Sequence, residues 1–457
     1  MQQLQIAARL RAASERIALA GQLDCLGRVS AVSGLAAELD GIAAHVAIGD
    51  RVQLCGRGSG PVTAEVVAFR GGRARALAFG DLTGLGAGAS ATLPFGVHGS
   101  GGTATIRVGE SWLGRVVDPL GRPLDGRGSL GPGQQQPVRA DPPAAGLRAR
   151  LGPRISLGVR ALDLFSTCRT GQRLGLFAGS GVGKSTLMAM LAQQASCDVI
   201  VLALVGERGR ELREFLEDDL GPEGLARSVV VVATSDQPPL MRREAAYTAM
   251  AVAEHYRDQG KSVLLLMDSV TRFCLALREI GLAAGEPPAT RGYPPSVFAE
   301  LPRLLERAGP GPDTAGCGHI TAIFTVLVEG DDHNEPVADA VRGILDGHVV
   351  LERRIGETGR YPAVDVLRSL SRTVPGCLEP HERGLVRRAR EVLATQAELT
   401  DLVRLGAYQP GADPAADEAL RLAPYLERLL TQARGETSSL DEAFESLAAV
   451  MGAVSAA

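Results

Sequence analysis

Between about residues 150 and 375, short apolar runs alternate with longer stretches of helix-forming character. Apolar runs of strand length that are separated by helical segments are typical of parallel sheets with helices on both faces. The pattern therefore predicts an α/β core. The runs that we predict as strands are RLGLFA, DVIVLALVG, SVVVVAT, SVLLLMD and HITAIFTVLV.

The segments on either side of this core have different patterns. From about 22 to 95, glycines punctuate short apolar runs about every eight to twelve residues, which indicates a small antiparallel barrel or sandwich. Residues 129–146 are rich in Pro, Gly and Gln, and we predict a surface connection there. After about 378 the pattern is wholly helical. We predict an N-terminal helix, a barrel or sandwich, an α/β domain and a helical domain, with the bounds 1–21, 22–95, 96–377 and 378–457.

The first residues form a candidate amphipathic helix, with Ile6, Leu10, Ala13 and Ile17 at helical spacing. Two interpretations stay open, a helix packed on its own domain and a helix that docks on a partner protein. The N-terminal stretch lacks the continuous apolar core of a signal peptide, and eighteen apolar residues never run together. We therefore predict a cytoplasmic protein whose association with a membrane is peripheral.

Composition narrows the possible functions. With 45% hydrophobic and 22% charged residues and a net charge of −4, the chain is typical of globular proteins and carries no excess of positive charge for nucleic acid. Its seven cysteines are scattered singly, which argues against a disulfide or metal framework. The 48 basic residues include two lysines, Lys184 and Lys261. One of these two lysines, Lys184, stands in the triplet GKS, although the chain uses arginine at nearly every other basic position.

The stretch LFAGSGVGKST places that lysine in a candidate phosphate-binding loop. A strand-like run precedes the glycine-rich loop and a good helix former follows it, which is the context of a P-loop. Backbone N–H groups of the loop point at the phosphates of a nucleotide, and the helix dipole favours the anion. Ala178 stands where the first glycine is expected, at the junction of strand and loop, where alanine is acceptable if φ is negative. The predicted phosphate-binding residues are Gly179, Ser180, Gly181, Val182, Gly183, Lys184, Ser185 and Thr186.

Two further strands end in charged residues. Asp268 closes SVLLLMD, where a carboxylate beside the P-loop strand can help to hold Mg²⁺ together with the Ser185 hydroxyl. The run DVIVLALVG continues into GERGRE, where Glu207 and Glu211 are both candidates for the group that activates the attacking water. A solvated cluster of paired charges is the structural alternative for that segment.

Taken together, AGSGVGKST, VGERGRE, LLLMDSVTR, GRYPAVDVLRSLSR and LGAYQPGADP resemble the F₁/V-type catalytic ATPase superfamily. Within it the chain looks most like the ATPases of type III protein export, and the flagellar branch in particular. The resemblance spans roughly residues 22–450. It implies a β-barrel domain, a RecA-like ATPase domain, a helical C-terminal domain, and a homohexamer with ATP and Mg²⁺ between subunits.

The resemblance also implies roles for individual residues. Glu207 would be the water-activating base, with Arg208 beside it contacting the γ-phosphate side. Arg372, which closes SLSR, would be an arginine finger that reaches the neighbouring subunit's ATP; a salt bridge within its own domain is the alternative. Tyr361 would stack on adenine, with Tyr408 a weaker candidate for the other side of the base.

The partners implied by the resemblance are a negative regulator or stator protein at the N-terminal helix, export gate and stalk proteins, export substrates and their chaperones. The resemblance leaves a virulence-type export ATPase open as the alternative. A rotary ATP synthase catalytic subunit is less favoured, because ATQAELTDLVRL replaces the expected acidic loop. A Rho-like RNA translocase is also less favoured, because residues 21–95 are not basic and their aromatics are Phe69, Phe79 and Phe95. We therefore expect no nucleic acid partner.

Overall fold

The computed structural model describes residues 25–56, 60–93, 104–314, 316–328 and 335–452. The N-terminal helix predicted for 1–21 lies outside these residues. In the described chain a β-barrel is followed by an α/β sheet and then by helices, which confirms the predicted fold class. The exact domain boundaries stay predictions.

The described N-terminal strands close into a six-stranded barrel. They are β1 (Cys25–Ser33), β2 (Ala36–Asp40), β3 (Arg51–Cys55), β4 (Val62–Arg70), β5 (Arg73–Ala78) and β6 (Ser90–Leu93). Their order around the barrel is β1-β2-β5-β4-β3-β6, and the pairing is antiparallel. Of the two architectures predicted for this segment the barrel is the one observed, and its closure removes unpaired strand edges.

Thirteen further strands follow in the described chain. They are β7 (Thr105–Val108), β8 (Arg115–Val117), β9 (Gln134–Pro137), β10 (Arg154–Ile155), β11 (Cys168–Arg169), β12 (Arg173–Ala178), β13 (Val199–Glu207), β14 (Ser228–Thr234), β15 (Ser262–Asp268), β16 (Gly309–Pro310), β17 (His319–Leu327), β18 (Gly347–Leu351) and β19 (Val364–Ser371). Nine of them form the central sheet, in the order β19-β18-β12-β17-β15-β13-β14-β8, with β16 beside β17. The pairs β18–β19 and β16–β17 are antiparallel, and the other pairs of this sheet are parallel.

Helices cover both faces of the sheet. They are α1 (Arg160–Phe165), α2 (Lys184–Gln194), α3 (Gly209–Glu214), α4 (Gly221–Ala226), α5 (Pro239–Asp258), α6 (Val270–Ala284), α7 (Pro295–Leu305), α8 (Pro336–Ile344), α9 (Arg353–Glu357), α10 (Pro380–Arg404), α11 (Pro414–Leu430) and α12 (Leu440–Gly452). A π-helical turn, Phe215–Leu220, joins α3 to α4.

Alternate residues of the strands enter two different cores. On β13, Leu202 and Leu204 belong to the core formed with α1, α2 and the three C-terminal helices, whereas Val201 and Ala203 belong to the core formed with α5 to α8. Strands that are buried on both faces must be apolar at nearly every position, which explains their continuous hydrophobic runs. The prediction of a sheet with helices on both faces is therefore confirmed.

The prediction of a surface connection at 129–146 agrees with the exposure of most of these residues, but the segment also contains a strand that was not predicted. Within it, β9 pairs antiparallel with β7, and Val138 is buried immediately after β9. The local composition hid this strand, because its pairing partner lies some thirty residues earlier in the chain. Polar residues such as Gln135 can occupy a two-stranded ribbon that faces solvent on one side.

A buried ion pair joins the barrel to the α/β core. Arg243 on α5 donates to Glu65 on β4, with Nη2 2.6 Å from Oε2, and both side chains are about 5% exposed. Burial alone would raise the pKa of Glu65, but the nearby Arg243 and Arg139 guanidinium groups hold that pKa below its usual value. Removing one partner of such a pair is costly because it leaves an uncompensated buried charge.

Candidate nucleotide-binding site

The loop between β12 and α2 has the geometry of a P-loop. Gly181 and Gly183 have φ of 79° and 85°, a backbone conformation that favours glycine, and α2 begins at Lys184. Ala178 is instead the last, fully buried residue of β12, paired with Leu327 on β17. The missing first glycine therefore falls inside the strand, where alanine fits.

Lys184 lies between two carboxylates from neighbouring strands. Its ammonium forms ion pairs with Asp268 and with Glu207, the second with Nζ 3.7 Å from Oε1. Asp268 ends β15, opposite Leu204 of β13 in the parallel register, so the two strands deliver both carboxylates to the same edge of the sheet. The fully buried Thr325 on β17 donates to Asp268, with Oγ1 2.7 Å from Oδ1, and fixes this carboxylate.

Arg272 was missed by the sequence analysis although it lies in the quoted stretch LLLMDSVTR. It belongs to the first turn of α6, and its guanidinium forms an ion pair with Glu207. Gly206 has φ of 68°, and a Cβ there would lie 3.1 Å from Cδ of Arg272. Glycine at this position therefore leaves space for the Arg272 side chain. Glu207 is therefore held between Lys184 and Arg272.

The carboxylate cluster borders a cavity of about 210 Å³. Its lining includes Ser185, Glu207 and Asp268, with Glu211 also contributing. Ser185 and Asp268 thus present a hydroxyl and a carboxylate to one space, and such oxygen donors are the ligands that Mg²⁺ prefers. The residues predicted for a metal fit that ion.

Glu207 and Glu211 have different surroundings. Glu207 ends β13 and contacts Lys184, whereas Glu211 lies in the first turn of α3 and pairs with Arg208, with Nη1 3.0 Å from Oε1. The Arg208 side chain is 63% exposed, and its guanidinium faces Glu211 of the same chain. The paired charges predicted as the structural alternative for this segment are therefore present at Arg208 and Glu211, and Glu207 stands apart from them.

Tyr361 lies over the loop. A Cβ on Gly183 would be 3.4 Å from the Tyr361 ring, and this ring is half exposed. Three residues that contact Tyr361 or the loop were not predicted from the sequence. The Gln432 backbone N–H donates to the carbonyl of Tyr361 at 2.9 Å. Arg353 donates to the carbonyl of Ser180 at 3.0 Å, and Arg434 donates to the hydroxyl of Thr186 at 3.3 Å.

Tyr408 is placed in the connection between α10 and α11. Its hydroxyl donates to Asp417, with the two oxygens 2.8 Å apart, and this carboxylate raises the pKa of Tyr408 in addition to the effect of desolvation. The contacts that the structure gives Tyr408 do not join it to the loop or to Tyr361, and its role stays a prediction.

Arg372 lies far from the loop of its own chain. It follows β19, which is two strand positions from β12, the strand before the loop, and five from β13, which ends in Glu207, or roughly 24 Å at about 4.8 Å per strand. Because β19 is antiparallel to β18, its last residue pairs with Gly347 at the start of β18, at the edge of the sheet opposite the loop. The exposed guanidinium donates to the carbonyl of Arg342 at 3.4 Å, and within the described residues it forms no ion pair.

Comparisons with known proteins agree with this architecture. Residues 158–371 match the family model of the ATP synthase alpha/beta family, nucleotide-binding domain, and residues 378–449 match the T3SS EscN ATPase C-terminal domain. A flagellum-specific ATP synthase of Caulobacter vibrioides is 54% identical, over 97% of this chain and 98% of that protein. A type 3 secretion system ATPase of Xanthomonas euvesicatoria is 46% identical, over 92% of each chain.

Solved structures give the same result. The assembled ATPase EscN from the type III secretion system of enteropathogenic E. coli superposes with a TM-score of 0.84 at 40% identity, covering 93% of this chain and 99% of that one. Among the described residues, no helix has the length and apolar character needed to cross a membrane. The chain therefore belongs to the ATP synthase alpha/beta family, in the group that contains the flagellum-specific ATP synthases and the type III secretion ATPases.

Proposed function

We propose that this chain hydrolyses ATP to ADP and phosphate and energises the export of flagellar proteins through a type III secretion apparatus. The observation that supports it most directly is the meeting of Lys184, Glu207 and Asp268 beside the P-loop. Membership of the export ATPase family supplies the use of the energy.

Each part of the site has a role in this reaction. The backbone N–H groups of residues 179–186 cradle the phosphates, and Lys184 stabilises negative charge on the β- and γ-phosphates. Glu207 orients and deprotonates the attacking water, a contribution of typically 10²- to 10⁴-fold. Arg208, now paired with Glu211, turns toward the γ-phosphate side, and Tyr361 stacks on adenine. Tyr408 is the weaker candidate for the second face of the base.

We also propose Mg²⁺ as the cofactor that accompanies ATP. The Ser185 hydroxyl and the Asp268 carboxylate border the same cavity and would hold it. The ion supplies charge neutralisation at the phosphates when it is bound. Thr325 keeps the Asp268 carboxylate in place through its hydrogen bond to Oδ1.

The active site is completed by a second copy of the chain. Arg372 is exposed and lies at the edge of the sheet opposite Glu207 of its own chain, five strand positions from β13, so it is available to the nucleotide of a neighbour. A head-to-tail interface of this kind closes into a ring, and we propose a homohexamer. The relative EscN was solved as an assembled ATPase and in complex with its central stalk EscO. We propose a stalk protein as a partner of this chain as well.

The remaining proposals concern the parts that surround the site. The helix at 1–21 would dock a negative regulator or stator, and the export gate, substrates and chaperones would be further partners, with no nucleic acid. The protein would work in the cytoplasm, peripherally at the inner face of the membrane. The domains would be 22–95, 96–377 and 378–457.

A virulence-type export ATPase is the second candidate, supported by the Xanthomonas relative and by EscN. The Caulobacter relative, with the higher identity and coverage, favours the flagellar role. Deleting the gene distinguishes the two. Cells that lose their filaments, and regain them with the wild-type gene but not with the Lys184→Ala gene, support flagellar export; cells that keep normal filaments contradict it.

Purified protein tests the shared site. Because each site needs two copies, phosphate release per chain should rise with protein concentration in step with the assembled fraction, which mass photometry measures. A specific activity that stays flat on dilution while the mass falls to one chain would contradict a site shared between copies.

A further inference from the structure

A groove beside Arg372 combines an apolar floor with a basic rim. It has a volume of about 250 Å³ and is bordered by Leu370, Val374 and Leu378 together with three arginines of α10. Leu370 is 48% exposed, and the described residues that border the groove include no carboxylate. We call this surface, formed by Leu370 to Leu378 and Arg383 to Arg390, the basic groove.

The arginines at its rim are weakly engaged within the chain. Arg383 and Arg387 lie one helical turn apart and are both exposed. Arg383 donates through Nε to the carbonyl of Leu378 at 2.8 Å, and Arg387 has Glu391 as its acidic neighbour at 3.8 Å, with both of those side chains more than 60% exposed. Two guanidinium groups are thus free to bind carboxylates with the same spacing.

Such a pair of carboxylates exists at the other edge of the sheet. The helical stretch that follows Glu207 carries five acidic residues between 211 and 219, and we call residues 211–219 the acidic segment. Glu214 and Asp218 are exposed, lie four positions apart, and form no ion pair within the described residues.

Crowding of like charge favours a cationic partner for this segment. Asp219 pairs with Arg434 at 2.6 Å. Burial raises the pKa of Asp219, Arg434 lowers it, and the neighbouring charges of Asp218 and Glu214 raise it again. Positive charge arriving at Glu214 and Asp218 would relieve this repulsion.

The two surfaces are placed where neighbouring copies meet. The acidic segment begins four residues after Glu207, and the basic groove begins two residues before Arg372. If Arg372 of one copy reaches the phosphates beside Lys184 of the next, the groove of the first copy comes to lie against the acidic segment of the second. This step rests on the proposed role of Arg372 in a neighbour's site.

We propose that the basic groove seats the acidic segment of the adjacent copy, with Arg383 and Arg387 pairing with Glu214 and Asp218. The occupant is a second copy of this chain. The contact makes the ring interface heterologous, since each copy offers its groove on one side and its acidic segment on the other. It also couples assembly to the segment that directly follows Glu207, so that correct docking of the copies positions Glu207 in the site.

Two charge-reversed variants test the contact. One carries Glu214→Arg and Asp218→Arg, the other Arg383→Glu and Arg387→Glu. Each variant alone places like charges in contact, so we expect the protein concentration for half-assembly to rise at least about tenfold. In a 1:1 mixture every groove can meet a segment of opposite charge in an alternating ring, so assembly should return to within about threefold of the wild type. Mass photometry and sedimentation measure assembly without reference to activity.

A matched control reverses two exposed acids on α12, Asp441→Arg and Glu445→Arg, which have the same spacing, and should leave assembly unchanged. Normal assembly of either reversed variant alone overturns the proposal, and so does a mixture that stays dispersed. Restored mass in the mixture also shows that both variants fold. An Arg372→Ala variant that assembles and still hydrolyses ATP would contradict the proposed site, whereas the outcome of mixing reports on the groove alone.

Discussion

The two edges of the central sheet differ in how complete they are within one chain. At the edge with the P-loop, Lys184, Glu207 and Asp268 are partly or fully buried, and Lys184 contacts both carboxylates. Thr325 supports Asp268, and Arg272 supports Glu207. At the opposite edge Arg372 is exposed, and within the described part of the chain its guanidinium has one weak hydrogen bond, to a carbonyl group. The first edge has the interactions of a preorganised site. The second edge exposes a charged side chain that its own chain scarcely engages.

We expect this difference to separate nucleotide binding from hydrolysis. The P-loop edge holds what is needed to grip a nucleotide, because its charges are already oriented by strands and by neighbouring side chains. An exposed arginine contributes little until it is desolvated against a phosphate of another chain. We therefore expect a single copy to bind ATP and an assembly to hydrolyse it, and the following predictions test that division.

The largest effect is expected for Arg372→Ala. The rate constant kcat should fall by about 10³- to 10⁵-fold, because the finger neutralises charge in the transition state. ATP affinity of the isolated chain and the assembled mass should change little. Arg368→Ala, an exposed arginine on the same strand that pairs with Glu352, is the control and should stay within about threefold of the wild type. Equal losses in both variants would remove the distinction between the two edges.

Glu207→Gln should lower kcat by about 10²- to 10⁴-fold with ATP binding retained, because the amide cannot accept the water's proton. Glu211→Gln should change kcat by no more than about twofold, since its carboxylate pairs with Arg208 in a more exposed position. Single-turnover measurements at saturating ATP check both. A larger loss for Glu211→Gln would reverse the assignment of the base.

A mixture of two inactive variants tests whether the edges work in different chains. Lys184→Ala lacks the phosphate grip and Arg372→Ala lacks the finger, so each alone should be nearly inactive. In a random 1:1 mixture roughly a quarter of the interfaces join an intact P-loop edge to an intact Arg372, and about that share of wild-type activity should return. Activity that stays at the level of either variant alone, in rings shown to be mixed, would mean that both edges act within one chain.

The smallest effect is expected away from both edges, at Asp163. This residue is fully buried on α1, and burial raises the pKa of its carboxyl group to about 7, although N–H donors from Leu157 and Gly158 and the Ser156 hydroxyl act in the opposite direction. The unfolded chain releases this proton at lower pH than the folded chain does. Stability should therefore fall as pH rises from about 4 toward 7.

In Asp163→Asn this component disappears, because the amide does not titrate. The advantage of the wild type in Tm over the variant should shrink by about 2–5 °C between pH 5 and pH 7. Differential scanning calorimetry measures it, and ATP hydrolysis at 25 °C should be nearly unaffected. An advantage that grows with pH would mean that Asp163 is ionised in the folded protein.

Much of the fold could be predicted because the apolar pattern of each short stretch of sequence indicates its own strand or helix. The run SVVVVAT is β14 residue for residue, and SVLLLMD is β15. The polar strand β9 was missed because its residues carry no apolar signal and its pairing partner, β7, is distant in sequence. Thr325 was passed over because a single threonine within a buried β-strand is compatible with strand propensity alone.

The sequence by itself determined the parts of this protein that follow from local chemistry: the strand runs, the glycines that accept positive φ, and the lysine at the start of α2. Only the tertiary structure decided which charges meet. Parallel register brings Asp268 beside Glu207, and the antiparallel turn of β19 carries Arg372 to the far edge. The physical reason is that electrostatic interactions depend on distance and burial, and both are set by strand order.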